Sequence, residues 1–314
     1  MRLQRLIPWL IVLLVAQLAL TLLLWRDDAG QLPVAAGPLL SFDRATVDGI
    51  EISDGKRTLQ LRKVGDHWVL PDVFDFPAAG FRVDGLLDEL GALRPGLAAA
   101  TSAEAARRFR VAEDGFERRL RLMQGDTELA VLYLGDAAGP RRAYGRAGGD
   151  TAIYPLNFTA FQADATQDGW TDKTLLHREV AEITALRIGD IQLDRDGDGW
   201  KLAGLAEGER TDQDAAAALV ARLAGLNFMA VLSPVESAPA GSALLDAELT
   251  LSDGKRVQYR FTDPGQGGDP LLRVSDRGHV LRIGSHVFAP LKAAGRDSLL
   301  SHADAVPAEP PSGG

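Results

Sequence analysis

The stretch Leu59-Gln60-Leu61-Arg62-Lys63-Val64-Gly65-Asp66-His67-Trp68-Val69-Leu70 decides the fold, because the chain repeats its pattern as Ile191-Gln192-Leu193-Asp194-Arg195-Asp196-Gly197-Asp198-Gly199-Trp200-Lys201-Leu202. In each copy apolar residues alternate with polar ones up to a glycine-containing turn, and a second short run carries a tryptophan. A period of two sends every second side chain to one face, so each copy predicts an antiparallel hairpin with its tryptophan buried. Val47, Ile50 and Ile52 precede the first hairpin, and Ile183, Leu186 and Ile188 precede the second, extending each by one strand.

Downstream of each hairpin the period lengthens. Val83, Leu86, Leu87, Leu90 and Leu93 recur along one helical face, as do Ala215, Leu219, Val220, Leu223 and Leu226. Thr211 is the expected N-cap of the second helix, with Asp212 and Asp214 in its first turn. Alternation then returns. In the first copy it covers Leu120 to Leu122, Leu129 to Leu134, Ala143 to Gly145 and Ala152 to Pro155. In the second it covers Leu249 to Leu251, Val257 to Phe261, Leu271 to Val274 and Val280 to Ile283. Hairpin, helix and meander therefore occur twice, which is an internal duplication.

Ahead of the duplicated body, Leu6 to Trp25 is apolar and uncharged, broken only by Pro8, Gln17 and Thr21. Twenty helical residues span about 30 Å, the thickness of a bilayer core. Arg2 and Arg5 lie before this run and Arg26, Asp27 and Asp28 after it, so the short N-terminus carries the uncompensated positive charge, which predicts a cytoplasmic N-terminus. The run is longer than the core of a cleaved signal peptide, so retention is favoured over cleavage near Val34-Ala35-Ala36. The expected fold class is α+β: an N-terminal single transmembrane helix followed by two tandem, similar units of antiparallel β-sheet, each with one packed helix. The expected segments are a cytoplasmic N-terminus (1–5), the span (6–25), a linker (26–42) and a first repeat unit (43–157). A bridging segment (158–178), a second repeat unit (179–296) and a flexible tail (297–314) complete the chain.

Composition narrows the function. The 314 residues carry 34 Lys plus Arg against 43 Asp plus Glu, for a net charge of −9, so nucleic acid is excluded as a partner. With no cysteine there is no disulfide, thiolate metal site or cysteine nucleophile. The inner membrane, reached through residues 6–25, and a protein partner are the contacts expected.

The apolar N-terminal run, Ile50-Glu51-Ile52, Gly65-Asp66-His67-Trp68, the Val83 to Leu93 helix, Tyr133-Leu134-Gly135 and Asp172-Lys173-Thr174-Leu175-Leu176 occur in an order that resembles the bacterial family called domain of unknown function 4340. The resemblance covers roughly residues 45 to 295. It implies a membrane-anchored envelope protein, often encoded beside components of an ABC-type export system related to gliding-motility transporters. No catalytic residues come with the family.

Local motifs add little chemistry. Asp194, Asp196 and Asp198 open like a calcium loop, but its twelfth position is Leu205 where a glutamate is needed, and a hairpin turn is the favoured reading. His67, His177, His279, His286 and His302 include no zinc-binding spacing, although His279 and His286 could meet across a hairpin. No nucleophile elbow or phosphate-binding loop appears. Arg141, Arg142 and Arg146 could grip an anion, with simple hydration favoured. Trp68 and Trp200 could line a sugar site, with core packing favoured. Pro71-Asp72-Val73-Phe74-Asp75-Phe76-Pro77 is apolar where its counterpart, Ala203 to Arg210, is polar, and it reads as a lid over the first core or a contact surface. No catalytic, cofactor-binding or metal-ligating residue is assigned.

The function expected from these readings is that of a membrane-anchored periplasmic accessory or scaffold protein in a Gram-negative bacterium, associated with an ABC-type export system or other envelope machinery. The alternative is a periplasmic enzyme or ligand-binding module with its site between the two repeat units. Converging carboxylates or arginines would favour the alternative, and a flat apolar patch the scaffold.

Overall fold

The computed structural model describes residues 14–19, 37–237, 241–265 and 267–301. Its first strands are β1 (Gly49–Ser53), β2 (Thr58–Val64), β3 (His67–Leu70) and β4 (Phe76–Pro77), followed by helices α1 (Gly80–Ala92) and α2 (Ala103–Arg108). Next come β5 (Val111–Ala112), β6 (Gly115–Phe116), β7 (Arg118–Gln124), β8 (Thr127–Gly139), β9 (Arg142–Ala147) and β10 (Tyr154–Leu156). The second copy begins with β11 (Ile183–Ile188), β12 (Ile191–Asp196), β13 (Gly199–Leu202), β14 (Arg210–Thr211) and α3 (Gln213–Ala224). It continues through β15 (Ala230–Pro234), β16 (Ser242–Leu251), β17 (Arg256–Asp263), β18 (Leu271–Val274) and β19 (His279–Arg282), and closes with α4 (Ser285–Lys292) and β20 (Leu300–Ser301).

The expected α+β class led by a transmembrane helix is corrected by this architecture. Among the described residues the chain is mostly β, with 40% strand against 23% helix, in two large antiparallel sheets. Strand content exceeds the expectation because β8 and β16 run to 13 and 10 residues and because short strands such as β4, β14 and β15 escape a periodicity argument. Among the described residues no helix is long and apolar enough to cross a membrane. Of the expected span, residues 14–19 are helical and the rest lies outside the described residues, as do residues 1–5, 26–36 and 302–314 of the flanking segments.

The chain divides into two compact units, Met1–Thr58 with Asp84–Ala165, and Leu59–Val83 with Thr166–Gly314. In the first unit, five strands of one eight-stranded sheet follow the order β10-β9-β8-β7-β1. The second unit holds the β2-β3-β4 ladder and a complete eight-stranded sheet of order β13-β12-β11-β16-β17-β18-β19-β15. The duplication is visible in the pairing. β1 pairs antiparallel with β7 across α1 and α2, and β11 pairs likewise with β16 across α3.

Each turn has a local reason. Gly65 and Gly197 hold φ of 60° and 57° at the first central position of two-residue hairpin loops, a conformation without steric cost only for glycine. Gly135 answers a different demand. A Cβ there would lie 1.9 Å from the Phe109 carbonyl oxygen, so the chain can pass the Phe109–Arg110 backbone only without a side chain. In the β1–β2 turn the Asp54 carboxylate accepts from the Arg57 and Lys56 amides at 2.7 and 2.9 Å, and these bonds hold its pKa down at about 2.

Both predicted helices form. α3 buries Ala216, Leu219, Val220, Leu223 and Ala224 along one stripe, and its N-cap is Asp212, one residue beyond the expected Thr211. Asp212 Oδ1 accepts from the Ala215 amide at 2.9 Å. Thr211 is otherwise occupied, since its Oγ1 accepts the Leu202 amide at 2.9 Å.

That bond belongs to a small device on the open edge of the second sheet. The Gln213 side-chain amide accepts from the Trp200 N–H and donates to the Trp200 carbonyl, both at 2.8 Å, so one side chain serves β13 as a neighbouring strand would. At the matching place in β3, the Trp68 carbonyl accepts from the Ala78 amide at 2.8 Å, because there the chain itself returns as β4. Edge groups left open invite pairing with another chain.

Replacing Gln213 with Ala therefore removes two hydrogen bonds and is expected to cost about 2 kcal/mol. Trp200→Ala, which empties a buried site, should cost about 3 to 5 kcal/mol. Denaturant titration measures both, and a change under about 0.5 kcal/mol for Gln213→Ala would refute the edge role.

Candidate functional site

Strands β11, β16, β17 and β18 alternate, sending Leu186, Leu249, Tyr259 and Leu272 inward. The opposite face carries the polar partners and forms a groove of about 850 Å³. Register arranges this face in cross-strand rows. Asp246 lies opposite Arg260, and Arg260 opposite Arg273. In the adjacent row Arg187 lies opposite Glu248, and Glu248 opposite Gln258. Arg260 Nε donates to Asp246 Oδ1 at 2.9 Å, and Gln258 Nε2 donates to Glu248 Oε2 at 3.2 Å. A bulge between Ala243 and Leu245 shifts the ladder at one end of the groove, where Leu244 lines it, and Val235, whose amide donates to the Gly278 carbonyl, lines it near the β18–β19 turn.

One flank of the groove rests on a charged lock. Asp276 Oδ2 meets Arg178 Nη2 at 2.6 Å, with both side chains mostly buried, and Lys255 Nζ and Arg277 Nη1 approach the same oxygen at 3.4 Å. Arg277 also donates from Nε and Nη2 to the Leu175 carbonyl at 3.3 and 2.9 Å. The β18–β19 turn is thus tied to residues 175–178. Burial works to raise the Asp276 pKa, but the charges of Arg277 and Arg178 outweigh it and hold the carboxyl below its ordinary value. Burial pushes the neighbouring Tyr259 hydroxyl up.

The residues singled out in the sequence lie elsewhere. Trp68 and Trp200 are buried in β3 and β13, where a sugar cannot stack on them, and the Arg195 guanidinium lies 4.2 Å from the Trp200 ring centroid. Asp194 and Asp196 belong to β12, Asp198 to the tight turn, and the Asp194 carboxylate accepts from Gln192. No group of three His, Asp or Glu residues that could hold a metal ion occurs among the described residues. The three arginines of the β8–β9 hairpin do not act together. Arg141 sits in the turn, Arg142 donates to the Pro155 carbonyl, and buried Arg146 donates to the Val111 and Asp150 carbonyls beneath the Tyr133 ring.

The histidines have separate tasks. His177 Nε2 is 3.2 Å from Asn227 Oδ1, His279 Nε2 is 2.9 Å from the Phe74 carbonyl, His286 lies in α4 and His67 is exposed in β3. His302 lies outside the described residues. The Pro71 to Pro77 segment divides its roles residue by residue. Phe76 is fully buried and meets the Phe228 and His279 rings edge-on at 5.4 and 5.0 Å, whereas Phe74 is half-exposed. Phe74 and Asp75 both adopt positive φ, 60° and 55°, a conformation costly for residues other than glycine.

Sequence reasoning missed Arg187, Arg260 and Arg273. The polar members of an alternating strand look alike whether they face open solvent or a groove, and only register places them in rows.

Asp276→Asn is expected to cost roughly 3 kcal/mol, because it leaves Arg178 buried beside a neutral amide. A carboxyl whose pKa is depressed on folding stabilises fully above its unfolded value, about 3.9, and loses that contribution as pH falls through the folded value. Acid titration followed by fluorescence should thus separate wild type from Asp276→Asn at pH 7 and bring them together once the pH has fallen through the folded value of Asp276. A constant gap down to that acidity would contradict the lock.

The family described as Domain of unknown function (DUF4340) matches residues 68–243, more than half of the chain, and the chain belongs to that family. No curated protein and no solved structure matches it.

Proposed function

We propose that this member of the family is a non-enzymatic accessory protein of the bacterial cell envelope, which holds a partner in the groove of its second sheet. The observation that carries this reading is the groove itself, with four arginines and two carboxylates on its lining. Its chemistry suits binding better than turnover. Arginine stays protonated at any physiological pH, Asp246 is engaged by Arg260, and the Tyr259 hydroxyl is shifted further from neutrality. These groups can orient and neutralise a bound molecule but offer no proton carrier tuned near pH 7.

Placement follows from the sequence. Arg2 and Arg5 before the uncharged Leu6 to Trp25 run, with Arg26 offset by Asp27 and Asp28 after it, favour attachment to the inner membrane through residues 6–25 and a periplasmic body. The family resemblance favours an ABC-type export system or related envelope machinery as the partner.

Two measurements test the proposal. A photo-crosslinking residue at Gln258, in the groove, should yield a discrete adduct in living cells that mass spectrometry identifies as an envelope component. The same residue at exposed Lys56, outside the groove, should not. A C-terminal reporter that functions only outside the cytoplasm should be active. Identical adducts from both positions would end the groove reading, and an inactive reporter would end the placement.

A further inference from the structure

We infer that the first unit rests on the bilayer with the end at which the chain enters it, placing Leu97 and Phe161 in the interfacial layer and a zwitterionic phosphoethanolamine headgroup between Arg94 and Glu89. This rests on the attachment through residues 6–25 in the proposed function. The Leu39 amide donates to the Leu93 carbonyl at 2.9 Å, so the chain arrives beside the last turn of α1. From there it runs back along the helix, where Arg44 Nη2 meets Asp84 Oδ1 at 2.9 Å. It then reaches Asp48, whose Oδ1 accepts the Gly125 amide of the β7–β8 turn at 2.8 Å. The end of α1 and that turn therefore mark opposite ends of the unit, about 20 Å apart along a helix of 13 residues. Residues 26–36 separate the entry from Trp25. A chain of that length reaches about 40 Å fully extended and about 18 Å as a random coil, of which the headgroup layer takes up about 5 to 7 Å. At the coil distance the entry end meets the headgroups and the β7–β8 turn does not.

The side chains at this end suit that contact. Among the described residues of the first unit beyond residue 37, Leu97 and Phe161 are the large apolar side chains left more than half exposed, at 58% and 85%. Each stands three residues from the lining of a pocket of about 260 Å³, Leu97 after Arg94 and Phe161 after Phe158. Beyond Leu97 the chain runs antiparallel beside β10, with Ala99 and Ala100 bonded to Ile153. Beyond Phe161, Gln162 Nε2 donates to Glu89 Oε2 of the pocket at 3.1 Å. Arg94 Nη1 caps α1 through the Gly91 and Leu93 carbonyls, at 2.8 and 3.2 Å. Its other N–H groups and the Glu89 carboxylate have no ion-pair partner among the described residues. A guanidinium and a carboxylate on one small pocket match a ligand that carries both a phosphate and an ammonium, the first held at Arg94 and the second at Glu89. The volume equals about nine waters at ~30 Å³ each, enough for the roughly eight non-hydrogen atoms of phosphoethanolamine. A net charge of −9 opposes adhesion to an anionic surface and so selects a zwitterionic one.

With no cysteine in the chain, Leu97→Cys, Phe161→Cys and Asp126→Cys each accept a single fluorophore on the full-length protein. The probe is a vesicle of mixed phosphatidylethanolamine and phosphatidylcholine containing nitroxide-bearing lipid, into which the labelled protein is reconstituted. Labels at 97 and 161 should be quenched at least threefold more than the label at 126, in the β7–β8 turn. Phosphatidylcholine alone, whose quaternary ammonium has no N–H to donate to Glu89, should reduce that quenching at least twofold. Glu89→Gln keeps an acceptor for Gln162 but removes the charge, and should abolish the difference between the two lipid compositions while the circular dichroism spectrum stays that of wild type.

Equal quenching at the three positions, or a lipid preference that survives Glu89→Gln, would overturn the inference. So would stronger quenching in vesicles of anionic phosphatidylglycerol, which would make the contact a matter of net charge. Loss of the lipid preference on adding millimolar inorganic phosphate would also overturn it, by assigning the pocket to a free anion. If a high-salt wash leaves the chain in the vesicles while the three labels respond alike, this inference falls and the attachment through residues 6–25 stands. Release of the chain by the wash removes the two together.

Discussion

The pairing of β11 with β16 sets the geometry of the second unit. It brings Ile183–Ile188 against the far half of Ser242–Leu251, across a helix and the whole intervening chain, and it lies near the middle of the sheet. Closing so long a loop costs entropy that only the subsequent packing repays, and Leu186 opposite Leu249 is where repayment begins. The register of this pair decides more than stability. A slip of β11 by one residue would turn Arg187 into the core and expose Leu186, breaking both a row of the groove and its foundation. In the first unit β1 pairs with β7 in the same way, with Ile50 opposite Leu122 and Ile52 opposite Leu120.

Duplicated topology does not force duplicated chemistry. Trp68 and Trp200 take corresponding places in their hairpins, yet the edge beyond Trp68 is completed by backbone and the edge beyond Trp200 by the Gln213 amide. The apolar Pro71 to Pro77 segment supplies that backbone, burying Val73 and Phe76 as it passes, while its polar counterpart remains outside the ladder. The two copies also differ on their open faces. Only the second places two arginines opposite each other in a groove, where the charged lock around Asp276 secures one wall to Leu175 and Arg178.

Much of this was legible in the sequence, and the remainder was hidden for identifiable reasons. The alternation in Leu59 to Leu70 and Ile191 to Leu202 located both hairpins, and the leucine spacing located α1 and α3. Those signals reflect local periodicity, which needs no knowledge of distant partners. The balance between helix and strand was not legible, because two-residue strands such as β4 and β14 have no period to detect. Thr211 and Asp212 are equally good caps on paper, and the choice between them depends on Leu202, a residue from another element. The groove was least visible of all. Arg260 looks like any solvent-facing residue until Arg273 is placed beside it, and that requires the register of strands joined by a long turn.

The absence of cysteine allows this register to be tested without background. Arg187→Cys with Glu248→Cys creates a directly opposed pair within disulfide reach, whereas Arg187→Cys with Asp246→Cys creates a diagonal one, about 7 to 8 Å apart and outside it. Under mild oxidation the first double variant should form an intramolecular disulfide nearly quantitatively while keeping the wild-type circular dichroism spectrum, and the second should remain reduced. Efficient crosslinking of the Arg187→Cys, Asp246→Cys variant with little in the other would mean a shifted register and would contradict the rows of charge on which the groove depends.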